Sequence, residues 1–480
     1  MSFRQARRDQ SFLLPASVDE WVAADHPARF VWAYVEALDL EELGIRTLPA
    51  QLGSPSYPPK ELLACWLYGF MVRTRTTRSL ERACRESLPF MWLTGLLQPD
   101  HVTIWRFYNC YRETMAELFK GTVKTAIKVG MVDFAVQSID GSKIPVSSNN
   151  RLRQKKHLEK LMAQVEKEIA EMEEQECKDD LAHKPSGQTK AKACKEDLRS
   201  RVQKALAQVE EEEKAQKPQS SKKPVALVSD PDARLMKTRH GWKPAYNAQV
   251  LVDSQEQIIV TANVTQDNYD SQQLISLLEQ EKQELGRCAQ VTLADNGYFS
   301  VDNLQRTPAY TDLYVPDKTF DTKLRKAPDF HLSKFAYRAE EDVYICPEGK
   351  RLTFLRDTKI TSSRNRRRRG RQYQCRECDG CPVRGKCTKS KYGRIITRTD
   401  DLLLLERHRE KMATEEAREL VRLRPPMVEG VFGILKECQG AHRFLTRGLI
   451  KVKQEWYLLC AAFNLRKLYL RWAQGLPATA

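Results

Sequence analysis

The stretch VDFAVQSID, residues 132–140, decides the fold, because it is an apolar run with strand character that ends in a carboxylate. A second run, AQVTLAD at residues 289–295, ends in the same way. Ligands of α/β sheets collect at the carboxyl ends of strands. We therefore predict that Asp140 and Asp295 close two strands of one sheet and face a common site.

A third acidic residue, Glu429, opens the helical pattern VEGVFGILK at residues 428–436. Carboxylates at strand ends and on a covering helix can converge although they are far apart in sequence. Such a cluster of hard oxygen ligands suits two magnesium ions that clamp a phosphodiester. Each residue alone is also explained as a turn or cap residue, or as a favourable charge in a first helical turn after Pro425 and Pro426.

The composition of the 480 residues, with 41% hydrophobic and 30% charged, is typical of a globular protein of two or three domains. A formal charge of +16 favours a polyanionic partner, and DNA fits best beside the carboxylates. No apolar run approaches the roughly 20 residues that span a bilayer, and no apolar signal segment follows MSFRQARRDQ. We expect no membrane contact, reduced cysteines and a cytoplasmic, nucleoid-associated protein.

Residues 1–130 have helical spacing of apolar positions, and Pro58 and Pro59 open one of the helices. Clustered arginines predict a helix-turn-helix-like DNA reader, with a helical bundle and a solvated basic face as the alternative. The arginines are Arg73, Arg75, Arg78 and Arg82.

Two long helical patterns within residues 151–225 predict an antiparallel helical hairpin, either a spacer or a dimer contact. Residues 131–150 and 226–317 hold the strand patterns, among them AYNAQVLVD at 245–253, and a crossover helix. They predict a mixed sheet flanked by helices. Residues 318–410 form a basic, cysteine-rich insertion, and residues 411–480 are helical.

The runs IDGSK, LADNGYFS and VEGVFGILK together resemble the three signatures of bacterial insertion-sequence transposases of the DDE class. Within that class the chain is similar to the insertion-sequence four and five superfamilies, and the resemblance covers most of the chain outside the helical hairpin. It implies an α/β RNase H-like core of the retroviral-integrase kind, with an all-α N-terminal DNA-binding domain.

The resemblance makes Asp140, Asp295 and Glu429 the catalytic triad that holds Mg²⁺ or Mn²⁺. Lys436, seven residues after Glu429, matches the phosphate-holding lysine of the family, and in an α-helix it would lie on nearly the same face. Arg424 matches the arginine of the glutamate signature with a shift of one residue. The tyrosine of that signature is absent.

Other acidic residues border the same core and could substitute for a triad member, namely Asp230, Asp232, Asp253 and Asp267. We prefer Asp295, because it ends an apolar strand before a glycine-containing turn. The run KTRHGWKPAYN places Lys237 and Arg239 beside Trp242, which suits phosphate contact and base stacking or else only marks the start of a strand.

A cysteine cluster and an arginine run lie in the basic insertion. The cysteines are Cys346, Cys375, Cys378, Cys381 and Cys387. Overlapping CxxC units with a distant partner fit a zinc knuckle, while the spacing argues against an iron–sulfur site and leaves unmetallated thiols as the alternative. The run RNRRRRGR predicts a flexible loop that binds DNA phosphates, with a solvated loop as the alternative. Its central residues are Arg366, Arg367, Arg368 and Arg369.

These observations predict a DNA transposase that cuts the terminal inverted repeats of its element and joins them to target DNA by two-metal-ion chemistry. The resemblance also implies that two protomers act on paired ends. A metal-dependent DNA nuclease without strand transfer and a catalytically decayed DNA-binding remnant are the alternatives.

Overall fold

The computed structural model describes residues 17–48, 56–147, 152–181, 189–215, 223–317, 330–361 and 367–475. The chain forms two compact units. The first comprises Met1–Tyr269, Leu277–Ala289 and Pro426–Ala480, and the second comprises Asp270–Ser276 and Gln290–Pro425. No helix in the described ranges has an apolar stretch of the length that a bilayer requires.

The first unit begins with short helices, and the structure shows no strand in the described part of the first 130 residues. The helices are Val18–Trp21, Pro27–Glu36, Pro59–Met71, Thr77–Glu86, Leu88–Leu93, His101–Tyr111 and Thr114–Lys128. Helix Pro59–Met71 is buried on all sides, and it has a proline in its first turn, where the missing N–H costs nothing.

Strand β5, Gly241–Asp253, is the centre of the sheet in the first unit. One edge pairs with β1, Val136–Pro145, in the register Asp140 to Val250. The other edge pairs with β4, Arg234–Thr238, and then with β6, Ile259–Thr265. All three pairings are antiparallel, and β5 is buried along most of its length.

The C-terminal helix Leu449–Gln474 joins this sheet to the N-terminal helices. Its Asn464 side chain accepts from the Ile259 N–H, donates to the Ile259 carbonyl and donates to the Thr122 hydroxyl. The Trp456 indole donates to the Gln249 carbonyl over 3.2 Å. Because these polar groups are buried and satisfied, helices and sheet share one core.

Two helices of the first unit, Lys155–Leu181 and Thr189–Ala215, pack against each other. Their ion pairs, Lys155 with Glu210 and Lys195 with Glu168, fit an antiparallel arrangement. A short strand pair, β2 at Leu152–Arg153 and β3 at Ala226–Leu227, closes their base.

The second unit contains a parallel pair, β7 at Val291–Leu293 and β8 at Asp312–Tyr314. It also holds an antiparallel sheet in the order β13, β12, β11, β10, β9. These strands are Ile395–Thr399, Arg367–Cys375, Arg351–Thr361, Val343–Ile345 and Ala336–Arg338. The chain is therefore of the mixed α/β class, which is compatible with an RNase H-like core.

Within the described ranges, the remaining helices are Leu274–Leu285, Val301–Arg306, Arg384–Cys387, Asp400–Met412 and Glu415–Gly433, followed by a π-helical segment, Ile434–Cys438. The same ranges contain 3₁₀ turns at Asp270–Gln272, Asn296–Tyr298 and Leu332–Lys334.

Candidate active site

Asp140 lies in the middle of strand β1 in the first unit, so the prediction that it closes a strand is wrong. Gly141 and Ser142, which follow Asp140, continue the strand in extended pairing with β5. Side chains alternate along a strand, and Ile139 is buried while Asp140 is partly exposed. Asp140 therefore projects from a rigid, paired backbone, which fixes the position of its carboxylate.

Lys436 lies close enough to Asp140 for their charges to interact. Burial lowers the pKa of Lys436, the Asp140 carboxylate opposes that shift, and Arg239 adds to it. The ammonium also stands 5.5 Å from the centroid of the Phe432 ring. A half-buried cation thus interacts electrostatically with an acidic group and with a second cation, and an anionic ligand there would satisfy both cations.

The segment that carries Lys436 is π-helical rather than α-helical. A π-turn closes one residue later than an α-turn, so the same-face relation expected between Glu429 and Lys436 does not apply as predicted. Single π-turns of this kind are frequent at functional sites.

Arg239 belongs to the tight turn between β4 and β5. The Thr238 hydroxyl donates to the Gly241 carbonyl, and Gly241 has φ +91°, a conformation that favours glycine. Lys237 and Trp242 face each other across the two strands, and the Trp242 side chain is 61% exposed. The turn thus presents cations beside an open aromatic face, as the sequence suggested.

Glu429 lies within the helix Glu415–Gly433, fourteen residues after its start, and not in a first helical turn. Pro425 and Pro426 are inside this helix. The Gln257 side chain donates to the Pro426 carbonyl over 3.1 Å and accepts from Lys467 Nζ over 3.0 Å. Glu429 itself is exposed, while its neighbour Val428 is buried and anchors the segment.

Asp295 lies two residues beyond strand β7 of the second unit, as predicted for a residue that follows a strand end. Its Oδ1 accepts from the Gly297 N–H over 2.8 Å. A Cβ on Gly297 would stand 2.9 Å from this Oδ1 and 3.6 Å from Asp270 Oδ2. A side chain at position 297 would therefore displace the Asp295 carboxylate, whereas its distance from Asp270 is an ordinary contact.

Asp270 is a residue that the sequence reasoning missed as a candidate. It lies near Asp295 because the turns Asp270–Gln272 and Asn296–Tyr298 contact each other. In the sequence, Asp270 stands at the start of a helical pattern, where aspartate is common as a helix cap. This position therefore does not distinguish a functional carboxylate from a capping residue.

All four rival carboxylates accept hydrogen bonds within the first unit. Asp230 accepts from the Tyr246 hydroxyl over 2.8 Å, and Asp232 accepts from the Leu449 N–H over 2.9 Å. Asp253 accepts from the Phe134 N–H, and burial raises its pKa to about 6. The fourth, Asp267, is exposed and accepts from the Thr265 hydroxyl.

Asp140 and Glu429 belong to the first unit, and Asp295 belongs to the second. Across the described ranges, no three Cys, His, Asp or Glu side chains are grouped closely enough to hold a metal ion. The metal-binding triad therefore stays a prediction, as does the role of Arg424 in the second unit.

The N-terminal arginines do not form the single basic face that the sequence suggested. Arg75 is buried, forms an ion pair with Glu455 and donates to the Gly440 carbonyl. Arg73 is exposed and donates to the Glu437 carbonyl over 3.3 Å. Arg78 and Arg82 remain on the exposed side of their helix.

The arginine run is partly a strand. Arg366 lies outside the described residues, whereas the backbone from Arg367 to Arg371 belongs to β12, which corrects the expected flexible loop. Arg369 is exposed and pairs in register with exposed Lys359 of β11. Arg371 contacts Asp342 at 2.8 Å and stacks on Phe354.

The five cysteines of the insertion come together around one small cavity of about 20 Å³. All five are free thiols. Cys375 is 1% exposed, and the other four are partly buried.

Comparison with known families gives two matches. Residues 345–469 match the model described as a transposase DDE domain, and this range includes Glu429 and Lys436. Residues 16–110 match a transposase domain (DUF772) model. No curated protein matches the chain.

Proposed function

Because the chain belongs to the DDE transposases of insertion sequences, we propose that it cuts DNA at the ends of its element and joins them to target DNA. The proposal is supported by the electrostatic interaction of the half-buried Lys436 with Asp140 and with Arg239 in the first unit. A carboxylate beside two cations suits a phosphodiester, since the cations bind the phosphate oxygens.

Asp140, Asp295 and Glu429 would hold Mg²⁺ or Mn²⁺. The donor set fits these ions, because they prefer carboxylate oxygens and all three side chains are at least partly exposed. Two such ions, when bound, activate the attacking oxygen and stabilise the leaving oxygen.

The residues of this chain would position the DNA. Lys436 and Arg239 would contact phosphates next to the scissile bond, and Lys237 would extend this contact along the β4–β5 turn. The exposed Trp242 ring would stack on a base that is freed from the duplex, a contact worth roughly 1–3 kcal/mol per base.

The strand β12 would bind the phosphate backbone through Arg369 together with Lys359. These two side chains lie side by side on neighbouring strands and line a groove of about 500 Å³. Like charges in direct register repel, so the pair favours a bound polyanion. The protein would act on DNA in the cytoplasm, with two protomers on paired ends.

The test uses duplex DNA that carries both ends of the element encoding this chain, with Mg²⁺ or Mn²⁺. We expect end cleavage and joined products for the wild type. Replacement by the matching amide at Asp140, Asp295 or Glu429 should reduce both by at least about 10³-fold while end binding stays within about twofold.

Glu419→Gln is the matched control, because Glu419 is exposed ten residues before Glu429 on the same helix. Cleavage without joining would favour a nuclease, and binding without cleavage in the wild type would favour a decayed remnant. Full activity of any amide variant would remove that residue from the triad.

A further inference from the structure

The cysteine cavity of the second unit collects thiols from four separate turns and strand ends. Cys346 follows strand β10, and Cys375 ends strand β12. Cys378 and Cys381 lie in the turn that follows, and Cys387 ends the short helix Arg384–Cys387. Residues up to 41 positions apart thus converge on a space of about 20 Å³, which is large enough for one small ion or water.

Two backbone N–H groups point at sulfur atoms in this cavity. The Lys350 N–H donates to Cys346 Sγ over 3.3 Å, and the Arg394 N–H donates to Cys378 Sγ over 3.4 Å. A neutral thiol is a weak acceptor, whereas such N–H bonds stabilise the negative charge of a thiolate ligand.

Glycines set both of these turns. Gly349 has φ +75°, and its N–H donates to the Cys346 carbonyl. Gly393 has φ +85°, and a Cβ there would stand 2.3 Å from the Cys375 carbonyl oxygen. The backbone is therefore built to bring its N–H groups against the sulfurs.

Cationic side chains also line the cavity, namely Lys350, Arg384 and Arg394. The Arg394 guanidinium is fixed by donating to the Cys387 and Phe330 carbonyls. Nearby cations favour thiolates over thiols. They also offset the charge of about −2 that four thiolates and one Zn²⁺ leave.

Cys375 differs from the other four cysteines. Its side chain is fully buried in an apolar cluster with Tyr344, Leu352, Tyr373 and Ile396. A buried cysteine in such surroundings behaves as a small hydrophobic residue. Cys378 and Cys381 are only partly buried and share one turn, in which the Cys381 N–H donates to the Cys378 carbonyl.

We propose that Cys346, Cys378, Cys381 and Cys387 bind one structural Zn²⁺ in a tetrahedral site, and that Cys375 is a core residue beside it. As no three of these side chains are already grouped at metal-binding distance, binding draws the four sulfurs inward from the cavity wall. The ion would tie the end of β12 to the β10–β11 turn and so fix the base of the arginine-bearing strand.

The test measures metal content by mass spectrometry in the full chain, purified without chelators. We expect about one zinc per wild-type chain, and the same for Cys375→Ala. Cys346→Ser, Cys378→Ser, Cys381→Ser and Cys387→Ser should each retain less than about half an equivalent.

A second measurement uses only wild-type protein, so a misfolded variant cannot obscure the result. Alkylation of native protein should spare the four ligands and label them at least about tenfold faster after zinc is removed by a chelator. Less than half an equivalent of zinc in the wild type, iron in its place, or loss of zinc in Cys375→Ala would each overturn the proposal.

Discussion

Replacing Glu281 by glutamine should stabilise the chain at neutral and alkaline pH. Glu281 is fully buried in the helix Leu274–Leu285 and accepts from Gln137 Nε2 over 2.9 Å. Burial raises the pKa of Glu281 from 4.5 to about 7, although the bond from Gln137 opposes the shift. Glutamine preserves this acceptor and carries no charge.

The magnitude follows from the difference in pKa. The folded chain keeps this proton up to about pH 7, while the unfolded chain loses it near pH 4.5. The folded state therefore binds more protons between these values, and its stability falls as the pH rises through this window. A difference of about 2.5 in pKa corresponds to about 3 kcal/mol, all of it lost above pH 8.

Urea unfolding followed by tryptophan fluorescence measures the effect in the correct unit, because all eight tryptophans belong to the first unit. We expect Glu281→Gln to match the wild type below about pH 4.5 and to exceed its free energy of unfolding by up to about 3 kcal/mol at pH 8. Burial also raises the pKa of Asp253, to about 6, but this contribution is present in both proteins.

Glu279→Gln is the control, since Glu279 is exposed on the same helix. It should leave the stability within about 0.5 kcal/mol at every pH. A Glu281→Gln chain that is no more stable than the wild type at pH 8 would refute the argument that a buried, charged Glu281 destabilises the fold.

Three further predictions concern other residues. Glu455→Gln should lower the free energy of unfolding, measured with urea, by about 3–5 kcal/mol, because it leaves the buried Arg75 guanidinium without its carboxylate partner. Changing both Arg75 and Glu455 to methionine should lower this free energy by less than the sum of the two single changes to methionine. Gly297→Ala should reduce cleavage about 10- to 100-fold without weakening end binding, because its Cβ displaces the Asp295 carboxylate; unchanged cleavage would contradict this. Lys359→Gln with Arg369→Gln should lower the slope of DNA affinity against salt concentration by the equivalent of about two phosphate contacts, whereas Arg356→Gln, three register positions away on the opposite face of β11, should not.

The strands of the core could be predicted from the sequence because their apolar runs are long and β-branched. The run AYNAQVLVD lies in the central strand β5. The run AQVTLAD contains strand β7, and Asp295 lies just beyond the end of that strand. The position of Asp140 was missed for a physical reason. Gly141 and Ser142 favour a turn locally, but nine residues of register with β5 keep them extended.

Long-range partners explain the other differences. Pro425 and Pro426 suggest a helix start, yet the helix continues through them, and the Gln257 side chain bonds the Pro426 carbonyl. Arg75 belongs by composition to a basic cluster, but its partner Glu455 lies 380 residues away. No local pattern contains such information.

The pairing of Lys359 with Arg369 would couple the stability of the β11–β12 hairpin to the binding of the proposed phosphate backbone. Repulsion between these two cations lowers the stability of the free hairpin, and a bound phosphate backbone removes it. The free energy by which a bound anion stabilises the hairpin then equals the free energy by which formation of the hairpin strengthens the binding of that anion. The backbone amides of β12 should accordingly exchange with solvent more slowly in the DNA complex than in the free protein.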